Sequence, residues 1–262
     1  MTTPEGLPPE GPSPDPRLVS AAAMVFVPDP AVPVVEPADA RHLLDVLRLR
    51  PGEPVIASDG AGAWVPCRVG PATAGRAGRS VDPTAILVAD GDPVSRPPAG
   101  PVLTLAFAPV KGDRPEWVVQ KLTELGVDRI VPLLTRRSVV RWEGERGVRA
   151  VERLRRVALE ASAQCRRPVL PEVLAVTSLS GLADLTGAAP VLAHPGGAPP
   201  RLADTVVAIG PEGGWDDGEL AGTGSLLGLG PTVLRAETAA VVTGTLLCAL
   251  RSALIAPLAL PR

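Results

Sequence analysis

The chain has 262 residues with a mass of 26.9 kDa, of which 45% are hydrophobic and 21% charged. This is the composition of a globular protein with ample material for a core, and the length suggests more than one domain. A net charge of −2, three widely separated cysteines and two histidines argue against a disulfide framework and a multi-histidine metal centre. No apolar run is long enough for a membrane span, and no signal-peptide pattern opens the chain, which predicts a cytoplasmic protein.

The N-terminal third divides into a tail, a small β-rich domain and a linker. Residues 1–20 are rich in proline and glycine and poor in apolar residues, which predicts a disordered tail. Residues 21–92 alternate short β-like runs with turn signals and predict a small, partly closed barrel. The segment GDPVSRPPAGP at 91–101 predicts a linker, with residues 93–101 assigned to it.

Four runs of this β-rich domain predict strands, and one segment predicts a helix. The strand runs are MVFVP at 24–28, PVIAS at 54–58, WVPCRV at 64–69 and AILVA at 85–89. Asp59-Gly60 followed by Gly62 predicts a hairpin turn. The segment from Pro37 to Leu47 predicts a helix with Leu43, Leu44 and Leu47 on its apolar face.

Residues 102–262 predict a second domain of alternating strands and helices. Strands are expected at 102–108, 129–134 and 206–210, and helices at 113–126, 146–163 and 236–255. The first helix should begin with Asp113 as its cap and Glu116 completing a capping box, and it should end at Gly126. The second should turn Val148, Val151, Leu154 and Ala158 inward. The alternation predicts a parallel sheet covered by helices on both faces.

Positive charge concentrates within this second domain. Between residues 136 and 167, ten arginines stand against four glutamates, a local excess of +6 (10 − 4) in a chain of net charge −2. The arginines are Arg136, Arg137, Arg141, Arg146, Arg149, Arg153, Arg155, Arg156, Arg166 and Arg167. Such an arginine stripe indicates either a surface that contacts nucleic-acid phosphates or a solvated helix face balanced elsewhere.

Two late segments combine glycines with charged residues. Gly210–Trp215 (GPEGGW) follows a predicted strand, where glycines allow close approach of a ligand to the backbone, although a simple tight turn has the same signature. Residues 229–234 predict a short strand that leads through Arg235 and Glu237 into the last helix, with Thr238 as a cap. Neither segment is a dinucleotide fingerprint or a P-loop.

The combination of motifs is more specific than any one of them. KGDRPEWVVQKLTELGVDRIVPLLTRRSVV, ALEASAQCRRPVLPEV, IGPEGGW and LGPTVLRAETAA, in this order and spacing, resemble the RsmE family, and RHLLDVLRLRPGE followed by SDGAG resembles its opening domain. The resemblance covers about residues 24–255. It implies an enzyme that uses S-adenosylmethionine (SAM) to methylate N3 of one uridine in 16S ribosomal RNA of the small subunit.

The resemblance also implies an architecture. Residues 102–262 would form an α/β SPOUT domain with a C-terminal trefoil knot, preceded by a PUA-like barrel that binds RNA. The protein would be a homodimer with the last helix at the interface, and no metal would be needed.

Site residues are implied by the same resemblance. Three loops would hold SAM, formed by Leu192, Ala193 and His194, by Ile209, Gly210, Gly213 and Gly214, and by Leu229, Gly230, Val233 and Leu234. The chemistry of N3 methylation, rather than the resemblance, suggests the catalytic residues: Arg235 would stabilise the developing uracil anion, and Glu237 or Glu212 would accept the N3 proton or orient Arg235. RNA contacts would come from Arg41, Arg48 and Arg50 in the barrel and from Lys111, Arg137, Arg141, Arg166 and Arg167 in the second domain.

The chain departs from the family pattern at three positions. Arg136 stands where relatives often carry glutamate, and Arg166 where they often carry a small residue. Trp215 replaces a smaller apolar residue or phenylalanine, a change that we expect to be harmless.

Other functions stay open on the sequence alone. The chain could be a non-catalytic RNA-binding module, a knotted methyltransferase for transfer RNA or 23S RNA, or a phosphotransferase that uses the GPEGG turn. The phosphotransferase is disfavoured because neither lysine of the chain, Lys111 or Lys121, lies by that turn.

Overall fold

The computed structural model describes residues 14–71, 86–96 and 100–256. The strands of this part of the chain form two sheets, one of five strands between residues 23 and 95 and one of seven strands between residues 104 and 227. Residues 1–13 of the predicted tail lie outside the described residues.

The first sheet is built around a hairpin. Its strands are β1 (Ala23–Phe26), β2 (Pro54–Ser58), β3 (Ala63–Val69), β4 (Leu87–Ala89) and β5 (Val94–Ser95). β1 pairs in parallel with β2, whereas β2, β4 and β5 all pair antiparallel with β3. The predicted turn joins β2 to β3, with Gly60 at φ +75° and Gly62 at φ +110°. β5 falls within the predicted linker, and the linker prediction is therefore wrong for residues 94–95.

The helix of this domain changes its winding half-way. α2 (Pro37–Arg41) continues into a π-helical turn at His42–Val46, where the amide of Leu47 donates to the carbonyl of His42 at 2.9 Å. The wider turn shifts the faces that follow it. Leu43 is therefore buried as predicted, but Leu47 is 43% exposed and does not share its face.

The residues before β1 are ordered rather than disordered. α1 (Pro16–Ser20) is capped by Asp15, whose carboxylate accepts from the amide of Arg17 at 3.0 Å. The guanidinium of Arg17 lies 4.8 Å from the ring centre of Trp64, a cation–π contact, and Asp15 also pairs with Arg96 at 3.5 Å. The tail prediction is wrong for residues 16–20, because this ion-pair cluster offsets their low apolar content.

The second sheet is wholly parallel in the described residues. Its strands are β6 (Thr104–Phe107), β7 (Arg129–Leu134), β8 (Glu172–Val173), β9 (Thr177–Ser178), β10 (Val191–Ala198), β11 (Val206–Ile209) and β12 (Leu226–Leu227). They lie in the order β12-β10-β11-β6-β7-β8, and β9 also pairs with β7. The helices are α3 (Arg114–Leu125), α4 (Gly144–Cys165), α5 (Leu179–Thr186), α6 (Asp217–Ala221) and α7 (Ala236–Arg251).

Both faces of this sheet are covered, as the sequence predicted. Leu105 and Phe107 pack into one core with apolar residues of α3, α4 and α7. Ala106, which points the other way because side chains alternate along a strand, packs into a second core with Leu182 of α5 and Trp215.

Two details of the helices differ from expectation. Asp113 precedes α3 but forms no side-chain cap, and Glu116 instead pairs with Arg153 of α4. Val148 is 59% exposed. The buried row of α4 runs through Gly147, Val151, Leu154, Ala158 and Ala161, and position 147 takes the inward place because its spacing from Leu154 is two helical turns.

Candidate active site

Three adjacent strands end at one edge of the second sheet. β12, β10 and β11 are neighbours and parallel, and the segments near their carboxyl ends therefore converge, the usual position of a ligand in an open α/β sheet. They enclose a pocket of about 510 Å³. Its lining includes Arg137, Ala193, His194, Pro195, Ile209, Gly210, Pro211, Glu212, Gly213, Gly214, Trp215, Leu229, Gly230, Thr232, Val233, Leu234, Ala236 and Ala239.

The structure brings together all the predicted cofactor residues except Leu192. Leu192 is buried within β10 and lines a separate cavity of about 580 Å³ beside Arg136 and Arg141. Ala193 and His194 were expected in a loop, yet they belong to β10. This part of β10 is irregular, since its register with β12 shifts between Ala193 and Ala198.

Trp215 joins the first two segments of the pocket. Its indole Nε1–H donates to the carbonyl of Ala193 at 2.9 Å, and its ring is buried. A Cβ on Gly210 would lie 2.9 Å from the indole Cε2, and Gly210 therefore has to be glycine for the ring to pack there. Trp215 is thus a structural link of the pocket, which the expectation of a harmless replacement missed.

The third segment of the pocket starts from a close approach of two backbones. A Cβ on Gly197 would lie 2.5 Å from the carbonyl carbon of Leu227, and one on Gly228 would lie 2.4 Å from the carbonyl oxygen of Gly197. Only glycines permit this contact between β10 and the residue after β12.

The path into α7 also differs from expectation. Residues 229–235 form an irregular loop rather than the predicted strand. Arg235 takes the N-cap position without a side-chain cap, and Thr238, already inside the helix, is not a cap.

The two candidate carboxylates face an arginine that the sequence analysis did not select. Nη1 of Arg114, at the start of α3, lies 3.4 Å from Glu212 Oε1 and 3.3 Å from Glu237 Oε1. Arg235 is exposed, and among the described residues neither glutamate pairs with it, because both carboxylates pair with Arg114. That a glutamate orients Arg235 stays a prediction. Arg114 reaches the site because β6 neighbours β11, and the loops after these strands lie side by side.

The two glutamates differ in environment. The side chain of Glu237 is 13% exposed, whereas that of Glu212 is 62% exposed. Oε2 of Glu237 is buried and has no hydrogen-bond partner among the described residues. A buried carboxylate oxygen without a partner is costly, and a donor from a bound molecule would satisfy it.

The predicted RNA-binding residues separate into exposed and structural ones. Arg41, Arg48, Arg50, Lys111, Arg137 and Arg141 are exposed. Arg137 also donates to the carbonyl of Gly213 at 3.2 Å, and Arg141 pairs with Glu143 at 3.0 Å. Arg166 and Arg167 instead donate hydrogen bonds to backbone carbonyls within the protein, and their role as RNA contacts stays a prediction.

Much of the arginine stripe is balanced by acidic residues. Ion pairs join Arg136 to Asp216 at 3.2 Å, Arg149 to Glu145 at 3.1 Å, and Arg153 to Glu116. The stripe is therefore in good part a neutralised helix face, and the exposed cations around the pocket provide the remaining positive surface.

The three cysteines are buried or partly buried, and their environment raises the pKa of each thiol. Burial raises the pKa of the Cys67 thiol to about 11, and it also raises the pKa values of Cys165 and Cys248, which keeps all three thiols protonated at neutral pH. Within the described ranges, no cluster of three or more metal-ligating side chains is found, and no helix there is long and apolar enough to cross a membrane.

Comparison with known families matches both halves of the chain. The family model described as an RNA methyltransferase domain matches residues 98–248, and that of an RNA methyltransferase PUA domain matches residues 35–77. The Mycobacterium bovis protein named ribosomal RNA small subunit methyltransferase E is 34% identical over 230 residues, covering 81% of this chain and 84% of that protein. The chain belongs to the RsmE family.

One further named relative and two solved structures are also similar to this chain. The Bacillus subtilis protein of the same name is 27% identical, with 77% of this chain and 83% of that protein covered. A Legionella pneumophila structure solved with bound SAM is 28% identical, with a TM-score of 0.67, and the match covers 86% of this chain and 96% of that one. A Neisseria gonorrhoeae structure is 23% identical, with a TM-score of 0.70, and the match covers 87% of this chain and 97% of that one. It supports the fold.

Membership of the RsmE family agrees with the architecture. The chain has the α/β SPOUT fold preceded by a PUA domain, as the sequence predicted, while the trefoil knot and the domain boundaries stay predictions. The pocket also fits the cofactor of the Legionella structure in size, since small-molecule sites usually measure about 300–1,000 Å³. Its glycine-rich lining exposes backbone groups, and at Gly214 an added Cβ would meet nothing within 4 Å, which leaves open space beside the chain.

Proposed function

We propose that this protein transfers a methyl group from SAM to N3 of a uridine in 16S RNA of the small ribosomal subunit. The observation that carries the proposal is the convergence of three segments at the ends of β10, β11 and β12 on one glycine-rich pocket. Family membership supports the RNA substrate, and the SAM-bound relative supports the cofactor.

In this proposal the pocket binds SAM chiefly through the backbone. Ala193, Gly210, Gly230 and Leu234 border the pocket and would surround the adenosine, because fixed amides and carbonyls bind a polar edge without ordering side chains. When bound, SAM supplies an electrophilic methyl group on its sulfonium. The protein must then hold the target nitrogen in line with that methyl, and such positioning can lower a barrier by up to roughly 7–11 kcal/mol.

The protein must also remove the proton from N3. Glu237 is the better acceptor of the two glutamates, because its Oε2 is buried and lacks a donor among the described residues, while Glu212 is largely solvated. The N3–H of a uracil would supply the missing donor. Arg235 lies two residues before Glu237, at the N-cap of α7, and in this proposal its exposed guanidinium would stabilise the negative charge that develops on the base.

RNA would be bound by the exposed cations on both domains. Arg41, Arg48 and Arg50 lie on the first domain, and Lys111 and Arg137 lie on the second. Each phosphate contact adds to the salt dependence of binding, with about −0.7 in the logarithmic slope per contact for a single strand. We further propose that the protein acts in the cytoplasm as a homodimer with α7 at the interface.

The decisive experiment incubates purified protein with labelled SAM and, in parallel reactions, with undermethylated small subunits, large subunits or transfer RNA, and maps the modified nucleotide. Label on N3 of a 16S uridine is the expected result. Label on transfer RNA or 23S RNA, or the absence of both labelling and SAM binding, would rule the proposal out.

Variants then test the residue roles. Glu237→Gln should slow methyl transfer by about 10²–10⁴-fold, the usual contribution of a general base, with SAM affinity retained. Arg235→Ala should behave similarly. Glu145→Gln, at an exposed ion pair on α4, is the matched control and should leave the rate unchanged. A normal rate for Glu237→Gln would exclude Glu237 as the acceptor.

A further inference from the structure

The two arginines at the end of α4 reach in opposite directions. Arg166 extends to the first domain, where its Nη2 donates to the carbonyl of Ala22 at 2.8 Å and to that of Ala21 at 3.2 Å. Its Nη1 also donates to the carbonyls of Ala163 and Gln164 at 2.8 and 2.7 Å. Arg166 thus ties the last turn of α4 to the chain just before β1.

Arg167 anchors the same point of the chain in the second domain. Its Nη1 donates to the carbonyls of Thr123 and Val127 at 3.0 and 2.8 Å, and its Nη2 lies 3.4 Å from Asp128. Arg251 of α7 pairs with the same carboxylate. This end of α4 is therefore fixed to α3, β7 and α7, and it is a rigid base for whatever Arg166 holds.

The residues that follow continue the contact with the first domain. Oγ of Ser58, which is fully buried, lies 3.0 Å from the carbonyl of Pro168, and the amide of Leu170 donates to the carbonyl of Gly60 at 2.8 Å. Ala61 and Val169 form an antiparallel bridge. We call residues 166–170 the joint segment.

The backbone of Arg166 ends α4 in a left-handed conformation. Its φ is +60°, a left-handed value that is unfavourable for a residue with a long side chain. Only the five donors of a guanidinium can satisfy four carbonyls from such a position. The strain persists because the surrounding contacts over-determine it.

We propose that Arg166 is a positioning residue that fixes the orientation of the first domain relative to the pocket. The proposal rests on the proposed function, since an RNA bound by the first domain reaches the pocket productively only when the two domains keep one geometry. If the joint segment lets the domains move, a smaller fraction of the bound RNA places its target base beside the methyl group of SAM. The effective concentration of that base at the pocket depends on the distance between the two binding sites.

The main test is Arg166→Gly in the full-length protein. Glycine removes the hydrogen bonds of the Arg166 guanidinium to Ala21 and Ala22 but adopts a positive φ without strain. Any effect of the variant therefore comes from the lost hydrogen bonds and not from added backbone strain. We expect kcat/KM for the ribosomal substrate to fall between about tenfold and about a hundredfold, as for a misplaced substrate, while SAM affinity by calorimetry changes less than about twofold. Arg166→Asn, which also tolerates a positive φ, replaces glycine if that variant does not fold.

The matched control removes an arginine of the same helix without touching the joint. Arg146 is exposed near the start of α4, at the other end of the helix from the joint segment, and Arg146→Ala loses the same charge. Its kcat/KM should stay within about twofold of the native value. An equal loss in both variants would assign the effect to charge and overturn the proposal.

A rescue experiment addresses orientation directly. Cα atoms of antiparallel partners lie about 4.5–5.5 Å apart, a separation that a disulfide can span. Ala61→Cys with Val169→Cys in the Arg166→Gly background should restore kcat/KM when oxidised and lose it again when reduced. Failure of the oxidised form to recover would overturn the proposal.

Domain orientation can also be measured without catalysis. Spin labels on the two domains should give a narrow distance distribution in the native protein and a broad one in Arg166→Gly. A narrow distance distribution in both the native protein and Arg166→Gly would overturn the proposal that Arg166 fixes the domain orientation. If the native protein methylates no ribosomal RNA, the proposed function fails, while this distance measurement still decides the role of Arg166.

Discussion

Trp215→Phe tests whether the indole N–H holds the first two segments of the pocket together. The substitution deletes the hydrogen bond to the carbonyl of Ala193, 2.9 Å long, and leaves that half-buried oxygen without its donor. An unpaired buried acceptor costs about 1–3 kcal/mol. Because one kcal/mol corresponds to roughly 2–4 °C in a domain of this size, Tm should fall by about 2–12 °C.

Trp64→Phe is the matched control for this prediction. Trp64 is also buried, yet its Nε1 has no hydrogen-bond partner among the described residues, and the same substitution there breaks no such bond. It should therefore cost less stability than Trp215→Phe, although both lose similar ring area. The comparison sets the loss of a hydrogen bond at Trp215 against the loss of ring area and the weakening of the Arg17 cation–π contact at Trp64.

Cofactor binding provides the second readout for the same pair. Trp215→Phe should weaken SAM binding in calorimetry, because Ala193 borders the pocket and loses its fixed position. Trp64→Phe lies in the other domain and should leave the affinity unchanged. If Trp215→Phe keeps both its Tm and its SAM affinity, or if Trp64→Phe is the more damaging change, the inferred link between the two segments does not exist.

Three further outcomes follow from local geometry and burial. The hydrogen bond from Arg17 lowers the pKa of Asp15 from 3.8 to about 2. The resulting stabilisation is present above pH 3.8 and is lost as the pH falls through 2. Asp15→Asn should therefore lower the urea midpoint of unfolding at pH 7 and should lower it much less at pH 2. Gly228→Ala, whose Cβ would lie 2.4 Å from the Gly197 carbonyl oxygen, should lower SAM affinity in calorimetry by displacing the third pocket segment. Cys67, with its pKa raised by burial to about 11, should react with a disulfide reagent at pH 8 only after unfolding.

Secondary structure was predictable where the signal was local. β2 matches its predicted run, and the Asp59-Gly60 turn joins it to β3, because alternation and turn chemistry are contained in a few consecutive residues. One wrong detail needs information from elsewhere in the chain. The order of Pro16–Ser20 depends on the ion pair of Asp15 with Arg96 and on the contact of Arg17 with Trp64, which no short window of sequence contains.

The pocket was predictable for a different reason. Ile209 and Gly210 lie at the end of a recognisable strand, and the family motifs placed His194 and Leu234 beside them; all four residues line the same pocket. Arg114 and Trp215 were missed as contributors to the site. Their roles arise from partners about a hundred and about twenty residues away along the chain, Glu212 and Ala193.

The arginine stripe shows why a charge count does not locate an RNA surface. A guanidinium can face solvent, pair with a carboxylate or lie across backbone carbonyls, and the three states are identical in sequence. Arg137 is exposed, Arg136 pairs with Asp216, and Arg166 bonds to carbonyls of another domain. The extra arginines of this chain therefore need not strengthen RNA binding. At position 166, the added cation supplies rigidity between the domain that would bind RNA and the pocket that would hold the methyl donor.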